Sequence, residues 1–246
     1  MDEYRALLAA DVEGFTAHPD VALPSVSLHL QQAIRGACEA SGLGPTWDSL
    51  AFRVVKGDGV LAAFPIHALA RLVDPFAAQV QRSLSAMMPT LRSRGIRLRL
   101  RLALHTGLLD DRRPGAPGVS AATNTVSRLL NSRPLYRALE ASDPDTTFTA
   151  LLLSSEVFEN AVLGGRTALR PSQFTKVEAT AKRFRRTAYL YVPTPSTRPD
   201  QAISTTAARE EGADSRPPTW VSNYVRHGNL NNGVVQGHQI TGSRYV

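Results

Sequence analysis

Apolar residues along the chain fall into short unbroken runs and longer stretches with helical spacing. Residues 4–12 (YRALLAADV) form an apolar run closed by an acid, the pattern of a buried central strand. Over 25–39 the spacing turns helical, with Leu28, Leu30, Ile34 and Cys38 near one stripe. Runs at 52–55 and 60–64, split by Gly57-Asp58-Gly59, predict a hairpin. Residues 69–91 predict a long helix, 97–105 a strand, and 119–141 one or two helices. A strand at 149–153, a helix near 155–162 and a closing hairpin over 174–192 complete the pattern. Strands alternating with helices and ending in a hairpin predict an α+β fold, a main sheet with helices packed on it.

The composition changes near residue 193. Residues 193–218 are rich in Pro, Ser, Thr and Ala and nearly free of large apolar side chains. Such a stretch buries too little surface to offset its ordering entropy, so a flexible linker is expected over 194–218. The tail, 219–246, has an Asn/Gly/Gln/Val composition unlike anything upstream.

A hydrophobic fraction of 43% supports a sizeable core and excludes a wholly disordered chain. No apolar run approaches the roughly 18 residues of a membrane helix. Acids at Asp2 and Glu3 stand where a secretory signal carries cations, so a cytoplasmic location is expected. The single cysteine, Cys38, excludes an internal disulfide and reads as a buried thiol. A net charge of +7 is compatible with nucleic acid or with a polyanionic small molecule. The aromatic or helical element that would read nucleic acid is missing, so that partner is not expected.

Two acids stand at strand ends beside glycine. Asp11 closes the first predicted strand, and Asp58 sits at the hairpin tip. Carboxylates on adjacent strand ends can converge on Mg²⁺ or Mn²⁺, which takes hard oxygen ligands and leaves room for phosphates. The amides of residues 12–16 could cradle phosphate oxygens. Taken singly, Asp11 also reads as a helix cap and Asp58 as the start of a tight turn.

DVEGFT (11–16), KGDGVLAAF (56–64), LALHTG (102–107) and NTVSR (124–128) follow one another in that order. This constellation resembles the class III nucleotidyl cyclases over residues 4–192, with the Pycsar antiphage pyrimidine cyclases as relatives. The resemblance implies a ferredoxin-like palm domain over 1–193. It implies that Asp11, Val12 and Asp58 hold two Mg²⁺ or Mn²⁺ ions. Gly14, Phe15 and Thr16 would meet phosphates. Asn124 would orient the ribose, and Arg128 would stabilise charge on the transferred phosphoryl group. The last two stand at i, i+4 and share a helix face. Lys182 lies near the place of a late lysine on the terminal phosphates, and reads equally as part of a solvated charge run. In this family the acids and the Asn/Arg pair come from different subunits, so a homodimer is implied.

Arg97, Arg99 and Arg101 alternate with Leu98, Leu100 and Leu102, giving one apolar and one cationic strand face. The cationic face reads as solvated or at a sheet edge, and His105 as structural. Two positions depart from the purine-selective pattern. Val54 stands where the purine cyclases carry Lys or Glu, and Pro117 where the adenylyl enzymes carry Asp. Neither offers a side-chain hydrogen bond to a base edge, while Lys56 shares the face of Val54 by strand period. Exclusion therefore favours UTP, then CTP, as substrate; a purine cyclase is the alternative.

The tail resembles the RHIM-like amyloid signalling motifs through Asn231, Asn232, Gly233, Val234, Val235, Gln236, Gly237 and Ile240. Asn ladders, β-branched residues and low charge are cross-β features. The resemblance implies recruitment to an amyloid-templating receptor, and leaves open a catalytically inactive adaptor working through the tail.

Overall fold

A computed structural model describes residues 1–198. The expected amyloid motif and the expected linker from residue 199 onward lie outside the described residues.

The strands are β1 (Glu3–Val12), β2 (Arg53–Lys56), β3 (Gly59–Pro65), β4 (Leu100–Leu109), β5 (Thr149–Ser154), β6 (Thr175–Ala181) and β7 (Phe184–Tyr191). They form one sheet in the order β2-β3-β1-β4-β5-β7-β6, antiparallel except for the parallel β4–β5 pair. The helices are α1 (Leu23–Ala40), α2 (Gly44–Asp48), α3 (Leu69–Val73), α4 (Phe76–Ser93), α5 (Ala121–Leu130), α6 (Arg133–Glu140) and α7 (Ser155–Val157), which runs on into a π-helical turn, Phe158–Leu163. The expected α+β sheet with packed helices is what the chain forms.

Strand alternation divides the core in two. Ala6, Leu8, Ala10 and Val12 of β1 and Leu100, Leu102 and Leu104 of β4 pack against α1 and α4. Leu7, Ala9 and Ala103 point the other way, under α5 and α6. Helix α5 lies close to the sheet because the residues beneath it are small. A Cβ at Gly107 would stand 2.7 Å from the Cβ of Ala122. Ser120 caps α5, accepting from the Thr123 amide at 3.1 Å, while the Thr123 hydroxyl accepts from the Ser120 amide.

Several expectations are corrected. The long helix over 69–91 is two helices, broken at Asp74-Pro75; Asp74 is extended, as a residue before proline prefers. Leu28 is 53% exposed, the buried stripe of α1 running through Val26, Leu30, Ala33, Ile34, Ala37 and Cys38. Helix α2, with Pro45 in its first turn, was not expected. The arginine-bearing face is solvated only at Arg97: β4 is the central strand, and Arg99, just before it, and Arg101 within it are 5% and 6% exposed. Arg99 donates to the carbonyls of Thr147 and Leu139, to Ser142 and to Glu13. Hydrogen bonds to the body continue past the expected boundary at 193, since the Thr194 carbonyl accepts from Thr147 and the Ser196 hydroxyl from the Asp143 amide. Among the described residues, no helix is long and apolar enough to cross a membrane.

Candidate active site

Two concavities border α5. One, of about 470 Å³, is lined by Asp11, Val54, Lys56, Asp58 and Leu61, with Ser127, Leu130 and Asn131 on its helix side. The β1–β3 and β2–β3 registers build it: Asp11 pairs with Gly59, Lys56 with Gly59 and Val54 with Leu61. The Val12 amide donates to the Asp58 carbonyl at 2.9 Å, fixing the hairpin tip beside the end of β1. The expectation that Lys56 shares the face of Val54 holds, and both line the concavity that the acids line.

The two carboxylates differ in surroundings. Asp58 is exposed at the tip. Asp11 is largely buried and receives two hydrogen bonds from Arg101, Nε to Oδ1 at 2.9 Å and Nη2 to Oδ2 at 2.6 Å. Burial pushes the Asp11 carboxyl up to about 7 against the pull of Arg101, and the charges of Asp58 and Glu13 add to the rise.

The second concavity, of about 860 Å³, is lined by Asn124, Ser127, Arg128 and Asn131 from α5 and its cap, and by Ala181, Lys182, Arg183 and Phe184 from the β6–β7 hairpin. Asn124 and Arg128 are exposed because the opposite flank of α5, with Ala122, Val126 and Leu129, is the one buried. Lys182 stands at the hairpin tip with φ 53, a left-handed conformation uncommon for a non-glycine residue. The structure thus joins Lys182 to Asn124 and Arg128, and keeps all three apart from the lining of the acidic concavity. The two concavities meet at Ser127 and Asn131.

Other singled-out positions lie elsewhere. Pro117 is exposed in the loop before α5 and lines neither concavity. The turn after β1 enters through Gly14, at φ 64. Within it the Val12 and Glu13 amides donate to the carbonyls of Asp58 and Arg99, and the Ala17 amide to that of Gly14. Among the described residues, those of Gly14, Phe15 and Thr16 have no such partner. Phe15 lies beneath Gly57, and Gly14 borders a separate concavity with His18, Arg97, Arg99 and Arg198. His105 is buried with Nδ1 3.0 Å from the Ser154 hydroxyl, a structural placement. Arg101, Arg183 and Phe184 were not singled out as site residues; for Arg101 the only signal was alternation with leucines, because cross-strand register cannot be read from the chain.

The donor chemistry suits a hard divalent cation. Among the described residues, no group of three or more His, Cys, Asp or Glu side chains forms a complete metal cage. Two carboxylates lining one concavity, with further oxygens from phosphates and water, match the way Mg²⁺ binds.

No family model and no curated protein sequence matches the chain. Solved structures do. The guanylyl cyclase Cya2 superposes with a TM-score of 0.51 at 15% identity, over 81% of this chain and 95% of that one. The adenylyl cyclase CyaB from P. aeruginosa gives 0.52 at 16%, over 81% and 98%. Adenylate cyclases from Trypanosoma brucei give 0.50 at 16%, over 79% and 90%. The chain has the fold of the class III nucleotidyl cyclase catalytic domain.

Proposed function

We propose that the protein is a metal-dependent nucleotidyl cyclase that converts a nucleoside triphosphate, UTP before CTP, into a 3′,5′-cyclic nucleotide and pyrophosphate. One observation supports the reading. Asp11, Asp58, Val54 and Lys56 line one concavity and Asn124, Arg128 and Lys182 line the other, the division that a composite two-chain cyclase site calls for. Two protomers related by a two-fold axis complete one another, so the active form is a homodimer with composite sites.

Asp11, Asp58 and the Val12 carbonyl would hold the ions. Bound Mg²⁺ or Mn²⁺ supplies Lewis acidity toward the ribose 3′-hydroxyl and neutralises the triphosphate. Asn124 holds the ribose, aligning its 3′-oxygen with the α-phosphorus. The new P–O bond forms as the bond to the bridging oxygen breaks; pyrophosphate leaves and the hydroxyl proton passes to solvent. Arg128 faces the charge that grows on the α-phosphoryl oxygens, and Lys182 the terminal phosphates. Val54 gives the base an apolar wall, and Lys56 a donor for a pyrimidine carbonyl.

The resemblance to the Pycsar cyclases supports a signalling role in antiphage immunity, with the tail recruiting the enzyme to an amyloid-templating partner. Mixing Asp58→Ala with Arg128→Ala tests the composite site. Each variant alone is severely impaired, and the mixture regains activity through heterodimers that keep one intact site. No recovery despite subunit exchange contradicts the two-chain site.

A further inference from the structure

Both carboxylate oxygens of Asp11 are held by a single guanidinium. Register sets this up, since Asp11 and Arg101 face one another across β1 and β4 on the α5 side of the sheet. The fork is bidentate, at 2.9 and 2.6 Å, and both side chains are mostly withdrawn from water, at 13% and 8% exposure. Low exposure keeps water from competing for the fork, while desolvation of both charges offsets part of the attraction. The guanidinium lies 3.7 Å from the centre of the Tyr136 ring, whose hydroxyl donates to Asn131 Oδ1 at 3.3 Å. Its third nitrogen, Nη1, is buried without a hydrogen-bond partner. Arg101 is therefore placed by Asp11 and Tyr136, with one buried donor left unused to make that fit.

We propose that Arg101 is a positioning residue that occupies Asp11 in the metal-free protein and competes with the divalent cation for it, so that the Asp11–Arg101 pair sets the metal affinity of the site. The inference rests on the cyclase reading of Asp11 as a metal ligand. A cation arriving at Asp11 and Asp58 must draw the Asp11 carboxylate at least partly out of the fork, and the cost of that exchange is subtracted from its binding. Tyr136 and Asn131 keep Arg101 in place meanwhile, at the seam between the two concavities.

The test is Mn²⁺ titration of the full-length metal-free protein, read by the paramagnetic signal of free Mn²⁺, with thermal unfolding beside it. Wild type, Arg101→Met, Arg101→Lys and Asp11→Asn are compared. Arg101→Met is expected to bind Mn²⁺ about tenfold more tightly, the scale on which groups behind a metal ligand act. Arg101→Lys keeps the charge but loses the fork, and shows a smaller gain. Asp11→Asn loses the binding. Metal-free Arg101→Met melts below wild type because Asp11 is left buried without a partner, and saturating Mn²⁺ raises its Tm by more than it raises that of wild type. If Asp11→Asn abolishes binding but neither Arg101 variant binds more tightly, the competition is refuted while the metal reading of Asp11 stands. If Mn²⁺ binding is indifferent to Asp11→Asn, both fall. Should Arg101→Met fail to fold, Arg101→Lys alone carries the comparison.

Discussion

The guanidinium of Arg128, on the exposed flank of α5, lies 5.9 Å from the ring centre of Phe184, the first residue of β7. This contact links the helix that carries Asn124 to the hairpin that carries Lys182. Arg128 itself is exposed, so its proposed chemical role can be tested apart from folding. Arg128→Ala is expected to lower kcat by about 10²–10³-fold, the scale of losing one charge-stabilising donor. Its unfolding free energy should stay within about 0.5 kcal/mol of wild type. Steady-state kinetics beside chemical denaturation separates the two; a large loss of stability would make the residue structural.

In the proposed cyclase, base selection rests on Val54, which lines the same concavity as Asp11 and Asp58 and carries no side-chain hydrogen-bonding group. Val54→Lys should restore a donor for a purine edge and admit ATP while lowering UTP turnover. Competition between UTP and ATP, read as the ratio of the two cyclic products, measures this. A variant that gains no ATP turnover, in a protein that never uses UTP, would show that position 54 does not contact the base.

The positions of Asp11 and Asp58 at strand ends are legible in the sequence, and the surroundings of one strand are not. Asp11 and Asp58 were visible because each ends an apolar run next to glycine, and local pattern is enough to put such residues at strand ends. The Asn124–Arg128 spacing was legible for the same reason, since i, i+4 on a helix is a local relationship. Arg99 and Arg101 were misplaced on a solvated face because alternation with leucine says which residues share a face, not what covers that face. Helix α6 and the loop around Ser142 cover Arg99, and Asp11 neutralises Arg101, both through contacts distant in sequence. The break at Asp74-Pro75 was readable in principle from the proline, but the apolar spacing on either side continues as if the helix were whole.

Close packing of α5 on the sheet depends on Gly107. An added methyl would meet the Ala122 Cβ at 2.7 Å, so the helix must lift or tilt to accept it. Gly107→Ala should cost about 1–3 kcal/mol, the range for overpacking a dense core. It should also disturb the site, because α5 carries Asn124 and Arg128. Denaturant melts measure the first effect, and a wild-type midpoint would contradict the packing.

Burial holds His105 below its ordinary imidazole value, against the pull of Glu156 toward the charged form. With a folded-state value below the unfolded one, the neutral ring's contribution to stability is present above about pH 6.5 and is lost as pH falls through the folded-state value. Wild type should therefore lose more Tm between pH 7.5 and 5.5 than His105→Gln does. Equal acid sensitivity of the two proteins would show that His105 does not set the acid response.

Catalysis itself is tested by incubating the full-length protein with Mn²⁺ and each of the common nucleoside triphosphates, with products read by mass spectrometry and Asp58→Ala run beside it. A cyclic nucleotide is expected, cyclic UMP in greatest yield, and it should vanish in Asp58→Ala. Absence of any cyclic product at high protein concentration, or a product that persists in Asp58→Ala, would contradict the cyclase reading.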